Sequence, residues 1–398
     1  MPPPPFQEQF LAGIKKLTIL PRKYKVIEDD EDFNDLLLGT DILDYVDLSA
    51  LDLRPHADKL LSEPTGPFAV SGIKGWTDNV IWPTPDKLPA GFNPTEILSK
   101  SKSTPEIVKL RQSGKTGDGV NIAIIDHILD FRHPEISGRI ESVHAPVYKM
   151  KNTNPHFHAS MVTGCAAGTE TGVAPNASIH FFTCAKADEN RATELKTVLT
   201  NIKTYITEHF FDKRIRILSF SGTPMGASLE PSDELHIIEL LKEIESMGVK
   251  IIICGDTYRK RTQYPESFSI AKHDFIPCTY DGPVIGDGRI NYTTDVIGIP
   301  TNKRTTPGVS GFIYKKINGD SAAAPYLAGV FACALQGNAI FCTRPNWQSE
   351  LNDIMQQTAT EHPHGGKIIN PTGIVERVSE IARSMEIDLI KQQATQNA

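Results

Sequence analysis

The amino-acid sequence predicts an α/β fold in which helices flank a doubly wound, mostly parallel sheet. Two observations support this prediction: apolar runs of strand length recur along the chain, and segments of helical period lie between them. A third is size, because 398 residues with 39% hydrophobic side chains are enough for one large α/β domain and an extension. We therefore expect reactive side chains at the carboxyl ends of the strands, where open α/β sheets form their sites.

The predicted strands are continuous apolar runs without polar alternation, which is typical of strands covered by helices on both faces. The first is VNIAIID, residues 120–126. Similar runs follow in SIHFFTCA, RIRILSFS and VKIIICGD. Asp126, Ser219 and Asp256 fall at or beside the ends of such runs, so this edge of the sheet is expected to carry polar groups.

Segments of helical period precede and separate these runs. STPEIVKLRQSG, which begins at Ser103, is typical of a short amphipathic helix. A 3.6-residue apolar period then appears at Leu195, Val198, Leu199, Ile202 and Ile206, and again at Ile237, Leu241 and Ile244. Gly248 follows the second helix where a C-terminal cap is expected. The alternation of strand and helix predicts parallel strand pairs with helical crossovers.

The chain divides into an N-terminal extension, residues 1–104, an α/β domain, residues 105–385, and a polar C-terminal tail, residues 386–398. The extension is rich in proline at its start and carries an acidic run at residues 28–32. No clean secondary-structure period emerges in it, so the sequence predicts no independent core there.

Composition excludes several classes of function. A net charge of −7 gives no indication of nucleic-acid binding, and no run approaches the length of a membrane span. The N-terminus lacks the pattern of a secretory signal, and the six cysteines form no C-x-x-C pair. We therefore expect reduced thiols and a cytoplasmic location, with no nucleic-acid or membrane partner. The oligomeric state stays unknown at this point.

Three segments each supply one member of a possible nucleophilic relay. Asp126 lies in IAIIDHILDFRHPEI, His158 in NPHFHASMVTGCAAG and Ser321 in NGDSAAAPYLAG. A serine hydroxyl is a weak nucleophile until a neighbouring base takes its proton, and a carboxylate must orient that base. The residue types present are those that this chemistry requires.

The three segments resemble the strand-Asp, HGTHVAG-type and NGTSMASP-type motifs of the subtilisin family, in the same chain order. The separations, 32 residues from Asp126 to His158 and 163 from His158 to Ser321, are similar to those of the family. The resemblance covers about residues 105–385. It implies a serine endopeptidase acting on peptides or proteins and requiring no cofactor. Calcium often stabilises family members, but we identify no calcium-binding loop.

Each member of the relay has a structural alternative. Asp126 can be a turn or helix cap, and Ser321 can be the N-cap of the helix that follows it. His133 and His156 are close enough in sequence to compete with His158. We favour His158 because it leads HASMVTGCAAG, whose small residues suit a tightly packed helix.

Asp256 departs from the family pattern. The segment IIICGDTY resembles an apolar strand that ends in Gly-Asn in the family, where the asparagine donates to the oxyanion. An ionised Asp256 would repel that charge, whereas a protonated one would donate to it. The backbone N–H of Ser321 is the other expected donor. The alternatives are therefore an active endopeptidase, a pseudopeptidase that only binds peptides, and a transpeptidase or macrocyclase.

The segment LSFSG resembles the family's edge that pairs with an extended peptide, so Ser219, Phe220, Ser221 and Gly222 are expected to bind substrate. Gly255 is expected to form part of the first specificity pocket. Ser221 stands where the family usually has glycine, which either narrows that pocket or has no functional role.

Many family members carry an N-terminal prodomain, and the extension suits either such a segment or a belt wrapped on the main domain. We favour the belt.

Overall fold

The computed structural model describes residues 52–58, 75–144, 155–184, 191–222, 229–254, 265, 267–277, 297–309, 311–315, 319–361 and 367–396. The strands in these residues are β1 (Gly75–Thr77), β2 (Asn121–Asp126), β3 (Ile140–His144), β4 (Ser178–Thr183), β5 (Ile215–Phe220), β6 (Lys250–Cys254), β7 (Ser269–Pro277), β8 (Ile297–Asn302), β9 (Arg304–Pro307), β10 (Phe312–Lys315), β11 (Thr360–Glu361) and β12 (Lys367–Ile368). The α-helices are α1 (Pro94–Lys100), α2 (Pro105–Gln112), α3 (Phe157–Ala167), α4 (Arg191–Glu208), α5 (Pro231–Ser246), α6 (Asp320–Leu335), α7 (Trp347–Thr358) and α8 (Pro371–Gln396). Short 3₁₀ helices lie at Arg54–His56, Pro85–Lys87, Ser137–Arg139 and Ala339–Thr343.

Within the described residues, the largest sheet has nine strands in the order β11-β12-β8-β7-β6-β5-β2-β4-β3. Every neighbouring pair is parallel except β11 and β12. The chain adds β3 and β4 on one side of β2, and then β5 and β6 on the other. β2 therefore lies at a topological switch point, where open α/β sheets form their sites. The predicted α/β class is confirmed.

The two faces of β2 bury different side chains, as the continuous apolar run predicts. Ile122 and Ile124 belong to a core with α3, α6 and α8, while Ala123 and Ile125 belong to a core with α4 and α5. All four of these side chains are at most 1% exposed. The sheet is therefore covered by helices on both sides, which is the reason its strands show no polar alternation.

The helices follow the predicted periods. In α4 the predicted apolar positions are buried, and α5 buries Ile237, Leu241 and Ile244 in the same core. Gly248 follows α5 with φ +84°, a left-handed conformation in which glycine has no Cβ to strain. The periodicity alone was sufficient to place this helical layer.

Part of the N-terminal extension is built into the main domain. β1 pairs with β10, and β10 pairs with β9, in a three-stranded antiparallel sheet. The rings of Trp82, Phe92 and Tyr314 lie 5.7, 5.6 and 4.3 Å from that of Trp76. These contacts agree with a belt over residues 75–104, although the domain boundaries stay predictions.

The C-terminal end differs from the predicted tail. The boundary at residue 385 falls inside α8, which continues to Gln396. The physical reason is that residues 386–396 contain no glycine or proline and consist largely of good or moderate helix formers. Ile387, Leu389 and Ile390 are exposed on this part of the helix.

The five cysteines in the described residues carry free thiols. Cys165, Cys254 and Cys333 are buried, and burial raises the pKa of Cys333 to about 12. Burial also raises the pKa of Cys184 to about 12. These thiols remain protonated at neutral pH, as expected for reduced cysteines in a core. Cys278 lies outside the described residues.

Candidate active site

Asp126 is the last residue of β2, and its side chain is only 4% exposed. Its Oδ1 accepts a hydrogen bond from the backbone N–H of His127 at 2.8 Å. Burial acts to raise the pKa of Asp126, but the nearby His158 and His127 outweigh it, and the pKa lies below its ordinary value. The site therefore holds a buried carboxylate that is ionised at neutral pH.

His158 is the second residue of α3, and its imidazole contacts this carboxylate. Its Nδ1 lies 2.9 Å from Oδ1 and 3.0 Å from Oδ2 of Asp126. An ionised carboxylate can only accept, so Nδ1–H donates and Nε2 is left as the proton acceptor. The backbone N–H of His158 donates to Nδ1 of His156, which caps the helix. The cap and the carboxylate together orient the ring.

A small residue of α6, Gly329, lets the histidine segment pack closely against this helix. A Cβ placed on Gly329 of α6 would lie 2.9 Å from the carbonyl oxygen of Ala166 in α3. The same Cβ would lie 2.6 Å from Cβ of Val173. The close approach of α3 and α6 links the segment that carries His158 to the helix that carries Ser321.

Ser321 is the second residue of α6, and Gly319 is the N-cap. The alternative interpretation, in which Ser321 is the cap, is therefore wrong. Four residues further on, Pro325 has no N–H to donate to the carbonyl of Ser321. The hydroxyl of Ser221 donates to this carbonyl instead, at 2.8 Å. Ser221, which directly follows β5, thus ties the main chain of Ser321 to the end of the sheet.

The thiol of Cys254 interacts with both parts of the site. Cys254 ends β6, and burial raises its pKa well above the ordinary value. The charges of Asp320 and Asp126 raise it further, whereas a hydrogen bond with Ser321 lowers it. Asp126 and Ser321 therefore both approach one buried thiol at the carboxyl ends of the parallel strands.

The two competing histidines have structural contacts. Nε2 of His133 lies 3.1 Å from the carbonyl oxygen of Gly311, and its Nδ1 accepts from the N–H of Glu135. His156 is the N-cap of α3. Among these histidines, His158 is the one bonded to the Asp126 carboxylate.

The predicted substrate-binding segment begins inside the sheet and ends beyond it. β5 lies between β2 and β6, so Ser219 and Phe220 have strand neighbours on both sides, and Ser219 is fully buried. That Ser219 and Phe220 bind substrate stays a prediction, and the strand order that places them inside the sheet is not visible in a run of apolar residues. Ser221 and Gly222 lie beyond the end of β5 and are half-buried. Gly255 and Asp256 lie outside the described residues.

Sequence reasoning missed His127. One ligand atom each from Asp126, His127 and His158 lie within 4.8 Å of one another, a grouping that can hold a metal ion. The ring of His127 lies 5.8 Å from that of His158 and 4.5 Å from that of His156. The sequence feature that could have indicated it is the position of His127 directly after Asp126. The distance between His127 and His158, however, depends on how α3 packs against β2.

Comparison with known proteins adds the following findings. A model of the subtilase family matches residues 117–374. The subtilisin-like protease PopC of Myxococcus xanthus (strain DK1622) is 25% identical over 285 residues, which are 64% of this chain and 58% of PopC. The chain therefore spans less than two thirds of this curated relative.

Two solved structures are also similar. Fervidolysin from Fervidobacterium pennivorans, a keratinolytic enzyme related to subtilisin, has a TM-score of 0.48 at 18% identity, over 67% of this chain and 44% of that one. A structure of the subtilase cytotoxin SubAB has a TM-score of 0.49 at 15% identity, over 70% of this chain and 96% of that one. Within the described residues, no helix has both the length and the apolar character needed to cross a membrane.

Proposed function

Because the chain belongs to the subtilase family, we propose that it is a serine endopeptidase which hydrolyses peptide bonds through an acyl-enzyme on Ser321. The observation that supports this most strongly is the contact of His158 Nδ1 with both carboxylate oxygens of Asp126, at 2.9 and 3.0 Å. It provides a base that is oriented by a carboxylate at a strand end, as the relay requires.

In the proposed reaction, Nε2 of His158 takes the proton from the Ser321 hydroxyl as its oxygen attacks the scissile carbonyl carbon. The resulting imidazolium is stabilised by the Asp126 carboxylate, and it then gives its proton to the leaving amine. Water repeats the sequence on the acyl-enzyme and releases the second product. The carboxylate stays ionised throughout.

The oxyanion is stabilised in this proposal by the backbone N–H of Ser321 and by Asp256. Ser321 lies in the first turn of α6, where N–H groups have no acceptor within the helix and the helix dipole favours negative charge. Asp256 acts as a protonated donor, since a carboxylate would repel the oxyanion. Ser221, Gly222 and Gly255 then contact an extended peptide or protein substrate.

We also propose that catalysis needs no cofactor, because protein groups supply both the nucleophile and the base, and that the protein is cytoplasmic. The free thiols of the described cysteines support this location. Dialysis against a chelator is expected to leave turnover intact.

The proposal is tested by incubating the wild type and Ser321→Ala with a mixed peptide library in water enriched in ¹⁸O. Hydrolysis places ¹⁸O in every new carboxyl terminus, and Ser321→Ala is expected to form no such products. Mass spectrometry distinguishes the rivals, because a transpeptidase yields ligated or cyclic peptides without the label. A wild type that binds peptides but yields no product is the pseudopeptidase, and this outcome would overturn the proposal.

A further inference from the structure

We propose that Asp126, His127 and His158 form a binding site for a divalent cation of the Zn²⁺ type, and that the bound cation reversibly blocks the peptidase. The blocking effect rests on the proposed function. The binding itself does not, so the two can be tested separately.

The three ligand atoms are already close to the spacing of a zinc site. They lie within 4.8 Å of one another, and Asp126 Oδ1 and His158 Nδ1 are 2.9 Å apart. With bonds of about 2.0–2.1 Å, ligand atoms of a tetrahedral zinc ion lie roughly 3.3 Å apart. A shift of the His127 ring by about 1–2 Å is therefore enough to close the site. That ring is half-buried, whereas the carboxylate is held inside the fold.

The donor set selects the kind of cation. Two imidazole nitrogens and one carboxylate match the open zinc sites of enzymes, where water occupies the fourth position. Ca²⁺ and Mg²⁺ prefer ligand sets made of oxygen atoms, so this group binds them poorly. The His127 N–H bond to Asp126 Oδ1 keeps this histidine next to the carboxylate without using its ring.

Cation binding would block the relay at Nδ1 of His158, the nitrogen that faces Asp126. The metal there replaces the proton that bonds to Asp126, and the neutral ring then carries its proton on Nε2. His158 cannot act as the base in this state, because Nε2 no longer accepts the proton of Ser321.

The site is accessible from solvent. The side chain of His158 is 21% exposed, and His127 is half-buried. Zn²⁺ can therefore enter and leave without unfolding, and a chelator should restore activity. The imidazole of His156, 4.5 Å from that of His127, is a further neighbour within the histidine group.

Binding is measured on Ser321→Ala protein, in which turnover plays no part. Zn²⁺ affinity is determined by competition with a chromophoric chelator, and Co²⁺ absorption reports the tetrahedral ligand field. Adding His127→Gln is expected to weaken binding at this site by at least about tenfold, the loss typical even for residues that only support ligands. The matched control is His236→Gln, because His236 is an exposed histidine of α5. The control should bind as the parent does.

His127→Cys keeps a zinc ligand at this position and is expected to restore affinity, which separates a lost ligand from a damaged fold. Equal Zn²⁺ affinity in the parent and His127→Gln would overturn the site. In the active protein, the Zn²⁺ concentration for half inhibition should rise about tenfold in His127→Gln and be unchanged in His236→Gln. Weakened binding with unchanged inhibition would overturn the blocking effect alone. If the protein proves to have no peptidase activity, the binding result still decides whether the site exists.

Discussion

Two groups of histidines in this molecule differ in the side chain that contacts the imidazole, which is charged in one group and neutral in the other. His158 contacts the two oxygens of a buried carboxylate, Asp126, at 2.9 and 3.0 Å. His144 and His180, which belong to β3 and β4, instead contact the hydroxyl of Ser142 at 2.8 and 2.9 Å. In the first group the ring contacts a carboxylate, whereas in the second both rings contact a neutral hydroxyl.

The side chains that contact the second group are almost all neutral. The hydroxyl of Tyr205 lies 3.0 Å from Nδ1 of His180, and the side-chain oxygen of Asn121 lies 3.0 Å from its Nε2. Burial lowers the pKa of His144 and of His180 to about 4. The charges of His209 and Lys213 oppose protonation of His180 further, and only Glu141 favours it. These rings are therefore neutral parts of the fold, whereas His158 contacts a carboxylate.

The largest effect is expected when the first group is made to resemble the second. Asp126→Asn keeps the size of the side chain but removes the charge and the acceptor-only character that fix the tautomer of His158. We expect kcat to fall by about 10⁴, as the same change does in a trypsin-type triad. The measurement is turnover of a peptide substrate, with circular dichroism to verify folding. A loss of less than tenfold would show that the carboxylate does not orient the base.

The second prediction concerns how the stability of the fold changes at acid pH through His144 and His180. The pKa of each ring is about 4 in the folded state and about 6.5 when unfolded, so well above pH 6.5 both rings are neutral in either state and stability does not change with pH through them. As the pH falls from 6.5 towards 4, the unfolded chain takes up protons that the folded one rejects. The free energy of unfolding should fall by roughly 3 kcal/mol for each histidine. Urea unfolding between these pH values measures this loss.

The substitution His180→Gln should reduce the pH dependence of the free energy of unfolding, and the control His236→Gln should not. Asn121→Asp should have the opposite effect on the ring, because a carboxylate next to Nε2 raises the pKa of His180, which an NMR titration detects. An unchanged titration of His180 in Asn121→Asp would contradict the role that we assign to the partner.

A smaller effect is expected for the hydroxyl contact at the nucleophile. Ser221→Ala leaves the carbonyl of Ser321 without the donor that Pro325 cannot supply. The loss of a net hydrogen bond of about 1 kcal/mol predicts a decrease in kcat of roughly five- to tenfold, with little change in KM. Ser221→Thr, which retains the hydroxyl, is the matched control. If Ser221→Ala changes KM alone, Ser221 acts in the specificity pocket rather than in positioning.

The smallest change at neutral pH is expected for Asp256→Asn. If Asp256 works as a protonated donor, asparagine supplies the same hydrogen bond, so activity should be preserved or raised. Activity at alkaline pH should then decline less, because an amide does not ionise. A pH–rate profile of both proteins measures this, and loss of activity in Asp256→Asn would contradict the proposed donor.

The sequence predicted the parts of the molecule that depend on local pattern. The apolar run that ends at Asp126 and the helical period through Leu195 each encode their own burial, and both were correct. The class of fold follows from their alternation.

What the sequence could not predict depends on how distant segments meet. The bond from Ser221 to Ser321 joins residues 100 positions apart. The contacts of His144 and His180 with Ser142 likewise require β3 to pair with β4. Strand order, which an apolar run does not reveal, places β5 and Ser219 inside the sheet. The extent of α8 beyond residue 385 is a different case, because it follows from good helix formers in the local sequence.

The central claim, that Asp126 and His158 activate Ser321, is tested most directly by labelling with a fluorophosphonate and mapping the adduct by mass spectrometry. We predict one adduct per chain on Ser321 in the wild type, none in Ser321→Ala, and labelling slowed by orders of magnitude in Asp126→Asn. The absence of labelling at any pH, or an adduct on a different residue, would contradict the account.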